Sequence, residues 1–275
     1  MEITKELFEK FCPVALSPDS QIFDAVSTRF DDNIEFIKSE VLTDELWEII
    51  FGDEPVDYMY QLVNNVRKYV CVSAFLDTLP HLDLVLTETG FGIVSNGNVA
   101  PASSDRVERL QKRLLHDKDD AFEEILDAAR RDYSWGNSAN ATRWISSLFW
   151  NRLHLRFFNI NARTRSELIE KKVEIDSGEA WLKNLISPEF FEEMCEWERH
   201  NAENILGDRA MYLARLCVAT YICRPESVSL QRRLLIGFLE EHPEEFTTYF
   251  SSAAYRANHF KPYENKKDDP CYFFG

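Results

Sequence analysis

Glycine and proline are scarce, 9 and 10 residues among 275, too few for the many tight turns of an all-β sandwich or barrel. Basic residues are outnumbered as well: 31 Lys and Arg stand against 47 Asp and Glu, a formal charge of −16. A general grip on nucleic-acid phosphates needs clustered Lys and Arg, so this balance argues against one. It leaves open a protein that surrounds DNA without holding it. No apolar run approaches the ~18 to 20 residues of a membrane-spanning helix. Met1–Phe8 carries neither the basic nor the apolar region of a secretory signal. These absences lead us to expect a chain made in a reducing cytoplasm, with no membrane partner.

The six cysteines (Cys12, Cys71, Cys195, Cys217, Cys223, Cys271) form no CxxC pair. Most lie in apolar helical surroundings, where cysteine packs as a small hydrophobe, and neither a disulfide framework nor a zinc site is expected. Phosphate loops, dinucleotide fingerprints, nucleophile elbows, HExxH and EF-hand loops are all missing from the sequence. Gly90-Phe91-Gly92 does not open a helix, as a phosphate loop would. The chain is therefore read as a non-enzyme with no catalytic residue, metal or cofactor.

What is present is apolar and helical. Apolar residues make up 45% and aromatics 13%, enough to bury a large core and to exclude global disorder. Val56, Met59, Val63, Val66 and Val70 follow one helical stripe, and Leu62, Tyr69 and Leu76 follow a second. A helix apolar on two sides lies between neighbours, so 55–79 is expected as a central helix that stops at Pro80. Further helices are expected at 2–11, 20–40, 43–51, 104–116, 119–132, 141–150, 164–172, 178–186, 188–204, 208–223, 227–241 and 243–257. Thr43, Ser187 and Asp208 stand where helix caps belong. The predicted fold class is mainly α.

One stretch breaks the period. Leu82, Leu84 and Leu86 alternate with polar or smaller residues, Glu88-Thr89-Gly90 makes a turn, and Phe91, Ile93 and Val94 follow. This predicts a β-hairpin or extended arm over 82–99. A lone two-stranded hairpin is marginal in water, so it should pack on a helix layer or on another chain. Leu84, Leu86, Phe91, Ile93 and Val94 are its candidate interface residues.

The two halves share a pattern. Leu42-Thr43-Asp44-Glu45-Leu46 parallels Ile186-Ser187-Pro188-Glu189-Phe190, and Gly52-Asp53 parallels Gly207-Asp208. Leu110-Gln111-Lys112-Arg113-Leu114-Leu115 parallels Leu230-Gln231-Arg232-Arg233-Leu234-Leu235, and Ala128-Ala129-Arg130-Arg131 parallels Ala253-Ala254-Tyr255-Arg256. The spacing between the second and third blocks differs because the first half carries the arm. Two similar helical bundles would explain this, and so would the ease with which helices share Leu, Arg and Ala. The expected organisation is 1–135 as a bundle with the arm, 136–259 as a second bundle, and 260–275 as an extended tail.

Three further clusters carry candidate chemistry. Glu196 and His200 share a helix face and could hold a metal, although a solvated acidic face explains them more simply. His116-Asp117-Lys118-Asp119-Asp120 is read as a helix junction with an aspartate cap. Trp144, Phe149, Trp150, Phe157 and Phe158 interleave with Arg143, Arg152, Arg156, Arg163 and Arg165. Aromatics with arginines can stack single-stranded nucleic acid, yet in an acidic chain the better expectation is a basic patch meeting an acidic neighbouring surface. In the tail, Tyr272, Phe273 and Phe274 are expected to anchor in a pocket of this chain or of a partner.

The arm sequence from Leu82 through Asn96, with Ala100-Pro101-Ala102-Ser103 and Arg106-Val107, resembles an uncharacterised family of tailed-phage and prophage proteins from gut bacteria. Tyr263-Glu264-Asn265-Lys266-Lys267 followed by Phe273-Phe274 is similar to that family's ending. Such proteins resemble head–tail connector (adaptor) components in being helical with an extended arm, and no catalytic residues carry over. The resemblance implies a structural virion protein of the neck. It would form a ring with other copies of itself between portal and tail proteins, with double-stranded DNA only as passing cargo past an acidic surface. The alternative is a cytoplasmic helical protein–protein interaction module without catalysis.

Overall fold

A computed structural model of the chain describes residues 1–12, 22–52, 59–82, 84–87, 90–93 and 104–259. Val94 of the arm and Tyr272, Phe273 and Phe274 of the tail lie outside these residues. The fold is mainly α. Helices α1 (Lys5–Phe11), α2 (Ile22–Ser27) and α3 (Phe30–Glu35) lead into a π-helical turn, Phe36–Val41, and then α4 (Asp44–Phe51) and α5 (Tyr60–Thr78). The expected helix over 20–40 is thus three pieces, the last of them wide. α4 starts where Thr43 Oγ1 accepts a hydrogen bond from Leu46 N at 3.1 Å.

α5 is the central helix of the first half. Val70, Cys71, Val72 and Ala74 are all fully buried, which requires neighbours around most of the circumference. α1, α2, α3, α4 and α6 (Ser104–Ala129) supply them. Between α5 and α6 a 3-10 turn, Leu79–His81, precedes two short strands, β1 (Leu84–Thr87) and β2 (Gly90–Ile93). These pair antiparallel with Leu84 opposite Ile93 and Leu86 opposite Phe91.

α6 differs from expectation: one helix of 26 residues runs through the segment read as a junction. No Gly or Pro interrupts it, and Arg113–Asp117 and His116–Asp120 bridge successive turns at 3.3 and 3.5 Å. Neither Asp119 nor Asp120 starts a helix within this stretch; Asp119 Oδ2 accepts from the backbone N of Arg165 and Asp120 Oδ1 from Arg152 Nη2.

The second half follows as α7 (Tyr133–Gly136), α8 (Ala139–Trp144), α9 (Arg152–Phe157), α10 (Arg165–Glu170), α11 (Lys172–Ile186), α12 (Pro188–Arg199), α13 (Ile205–Cys223), α14 (Val228–Glu241), α15 (Thr247–Ser251) and α16 (Ala253–Asn258). Only Ser187 separates α11 from α12. It holds φ at 90°, a region an L-residue adopts at some cost, and its Oγ accepts from Phe190 N at 3.2 Å to start α12. α13 lies against α11, α12 and α14.

Buried apolar side chains form two clusters. The first runs from Phe8 to Ile145 and takes in Trp150; the second runs from Leu148 to Tyr249. α7 and α8 therefore side with the first core, beyond position 135. Trp135 is fully buried there, its Nε1 donating to Val41 O at 2.9 Å. The repeat blocks fall on elements in the same order: Thr43 and Ser187 each cap a helix, and α5 and α13 each have 19 residues. The LQKRLL and LQRRLL blocks lie on α6 and α14, the helices packed on α5 and α13. Two blocks do not correspond. Gly52 ends α4 whereas Gly207 lies inside α13, and Ala128–Arg131 closes α6 whereas Ala253–Arg256 lies in a separate helix.

Glu179 of α11 fastens the loop between the two cores. Its Oε1 accepts from Ser147 Oγ and from Leu148 N, both at 2.8 Å. Burial raises the pKa of this carboxyl, against the pull of those two donors. Glu179→Ala strands both donors in the interior and is expected to cost about 1–3 kcal/mol. Glu179→Gln keeps an acceptor and should cost less. Urea midpoints of the two variants measure the difference, and equal midpoints would refute the assignment.

Candidate functional site

Helical spacing builds a cleft between the two cores. Asp120, Glu123, Glu124 and Asp127 recur at three- and four-residue steps along α6, with Arg130 just past its end, and Asp208, Met211, Tyr212 and Arg215 do the same on α13. α9 closes one side with Leu153, His154 and Phe157. The cleft has a volume of about 650 Å³, within the range of pockets that accept ligands or side-chain rows. Its apolar lining is aromatic, from Trp150, Phe157, Phe158 and Tyr212. Leu153 is 60% exposed and Phe157 70%, so apolar surface stands open to solvent beside a rim of carboxylates.

Glu198 of α12 is the electrostatic centre. Its Oε1 accepts from Arg215 Nη2 at 2.8 Å, and its Oε2 accepts from Trp150 Nε1 at 2.8 Å and Arg130 Nη1 at 3.1 Å. Burial disfavours its charge, but the Arg215 and Arg130 guanidiniums outweigh burial and hold the carboxyl below its ordinary range. Arg215 Nε also donates to Leu148 O at 2.8 Å, and the Arg130 guanidinium lies 5.6 Å from the Trp150 ring centre. One carboxylate thereby joins the end of α6, through Arg130, to α12, α13 and the connecting loop. His154 packs edge-on to Trp150 with ring centres 5.2 Å apart. Burial, then the neighbouring Arg215 charge, lowers its pKa to about 3, so the ring is neutral. Its shielded Nδ1 has no hydrogen-bond partner among the described residues.

The structure does not assemble the five expected arginines into one outward patch. Arg152 is buried: its Nε donates to Glu123 Oε1 at 2.9 Å, Nη2 to Asp120 Oδ1 at 2.7 Å and Nη1 to Arg163 O at 2.6 Å. Burial opposes its charge, but Glu123 and Asp120 win and raise its pKa. Arg165 lies over the Phe122 ring at 4.5 Å, and its N donates to Asp119 Oδ2 at 2.8 Å. Arg143 is exposed and pairs with Glu40. Arg156 and Arg163 are exposed. Buried Arg152 and half-buried Arg165 turn inward because α6 supplies three carboxylates where α9 and α10 begin, and an arginine withdrawn from water requires such partners.

The other candidates are also placed. His200 caps the end of α12 and lies against Tyr133, ring centres 5.0 Å apart, instead of joining Glu196. No group of three His, Cys, Asp or Glu side chains suited to a metal ion occurs among the described residues. Cys71, Cys195 and Cys217 are buried, and burial pushes their thiols up to about 12. Leu84, Leu86, Phe91 and Ile93 lie in the paired strands. Arg130, Glu198, Arg215 and His154 were not singled out by sequence. Arg215 alone left a trace, as a single charge within the apolar Ala210–Val218 run.

These features define a two-core helical protein with a charged seam, a solvent-open acidic and aromatic cleft, and a strand ribbon between two core helices. Residues 37–143 match a family of unknown function, DUF6712. The match spans the ribbon and most of the first core, and it says nothing of phage origin or of a connector role. No curated protein and no solved structure matches the chain. No helix among the described residues is long and apolar enough to cross a membrane.

Proposed function

We propose that the chain is an assembly protein, held by neighbouring subunits through its ribbon. The finer reading is a structural subunit of a phage neck, forming a ring between portal and tail in the virion. The observation that carries the assembly reading is the excursion between α5 and α6. These two helices pack directly on each other, and helix–helix connections in bundles take roughly 2–8 residues. Here 79–103 stand between them, including two paired strands. So long a detour is not needed to join the helices, and a two-stranded ribbon can pair with a strand of another chain. The resemblance of the arm to phage and prophage proteins supplies the neck reading, and the net acidity suits a surface past which DNA slides.

Replacing 82–99 by a short Gly-Ser linker tests this. Thermal unfolding should stay near that of the wild type, because α5 and α6 keep their contacts. Ring formation in negative-stain images, alone or on added portal protein, should be lost. Rings that persist without the ribbon would refute its role. A wild-type chain that forms no ring and binds neither portal nor tail protein would leave the cytoplasmic interaction module as the better account.

A further inference from the structure

We infer that the cleft between the two cores receives the exposed face of α14 from a second copy of this chain. The inference deepens the assembly reading above and rests on it. Two surfaces of the same molecule complement each other. On α14, Leu230 and Leu234 are one helical turn apart and 52% and 50% exposed. Gly237, the next position on that stripe, has open space where a side chain would stand. Arg233 flanks the leucines, is exposed, and forms no ion pair among the described residues. The acids of this helix, Glu240 and Glu241, lie at its far end, and Glu240 is engaged by His259 at 2.7 Å. The face is thus apolar and basic.

The cleft is apolar and acidic. Of its carboxylates, Asp120, Glu123, Asp127 and Glu198 are each engaged by an arginine. Glu124 on α6 and Asp208 on α13 are exposed and form no ion pair among the described residues. They stand on two helices that border the open apolar surface of Leu153 and Phe157. A helix presenting leucines at i and i+4 with an arginine beside them suits such a groove, with the leucines on the aromatic lining and the Arg233 guanidinium at the free carboxylates. No α14 residue lines the cleft, so donor and acceptor surfaces are separate. Their union is head-to-tail, the arrangement that closes into a ring or runs on as a filament.

Two full-length variants test the contact by complementation. Arg233→Glu/Leu234→Glu spoils the α14 face, and Glu124→Lys/Asp208→Lys spoils the cleft. All four positions are exposed, and circular dichroism should show both variants folded. In sedimentation velocity, each variant alone should self-associate at least about tenfold more weakly than the wild type. An equimolar mixture should form a one-to-one pair, since it restores one intact face opposite one intact cleft. Variants that associate like the wild type would overturn the contact while leaving ribbon-based assembly standing. Monomeric variants that fail to pair on mixing would also overturn it. A wild type monomeric at every concentration, alone and with portal protein, would overturn the assembly reading itself.

Discussion

Arg152→Met is expected to destabilise the fold by about 3–5 kcal/mol, read as the loss of unfolding free energy in urea at neutral pH. Arg152 and Glu123 side chains are each 5% exposed and Asp119 7%. Removing the cation leaves carboxylates in the interior facing each other, with Arg165 at 3.5 Å from Glu123 as partial compensation. It also frees the Arg163 carbonyl, which accepts from Arg152 Nη1. The cost is that of an uncompensated buried charge more than of a lost attraction, so it should shrink when the charge goes too. Arg152→Met/Glu123→Leu should therefore be less destabilised than Arg152→Met alone, a coupling visible in a double-mutant cycle. A single-variant loss under about 1 kcal/mol would show that the cluster is not held in this way.

Acid should loosen the seam well before ordinary carboxylates titrate. In the folded chain His154 has a pKa near 3, against an ordinary 6.5. As pH falls from 6.5 toward 3, the unfolded chain takes up a proton that the native ring refuses, so stability falls across that window. Between pH 7 and pH 5 the expected loss is about 2 kcal/mol from this ring. Glu198 has the same sign in a lower window. Its depressed native pKa contributes stability above the ordinary carboxyl value of 4.5, and that share is lost as pH falls through the native value. His154→Leu should leave stability more nearly level between pH 7 and pH 5, measured by urea unfolding at each pH. A pH dependence identical in wild type and variant would contradict the buried, neutral assignment.

The helical class was legible in the sequence because apolar residues at three- and four-residue steps dictate which faces must meet. The central position of α5 followed from its two stripes. The break expected in α6 failed for a physical reason: Asp119 and Asp120 look like caps locally, and only the arginines 46 and 32 positions downstream show what they bind. The same blindness hid the fate of Arg152 and Arg165. Local sequence showed arginines among aromatics but not the α6 carboxylates that draw them inward. Glu198 could not be told from Glu192, Glu193 and Glu196, since its distinction lies in two arginines and an indole brought from elsewhere. The cleft exists only once α6, α9, α12 and α13 converge, so its residues carry no common signal beyond their spacing along α6 and along α13.

Native mass spectrometry of the purified wild-type chain over a range of concentrations addresses the assembly proposal most directly. The account predicts closed multimers of one dominant copy number that dissociate as the solution is diluted. A single species of one subunit's mass throughout, unaltered by added portal or tail protein, would contradict it.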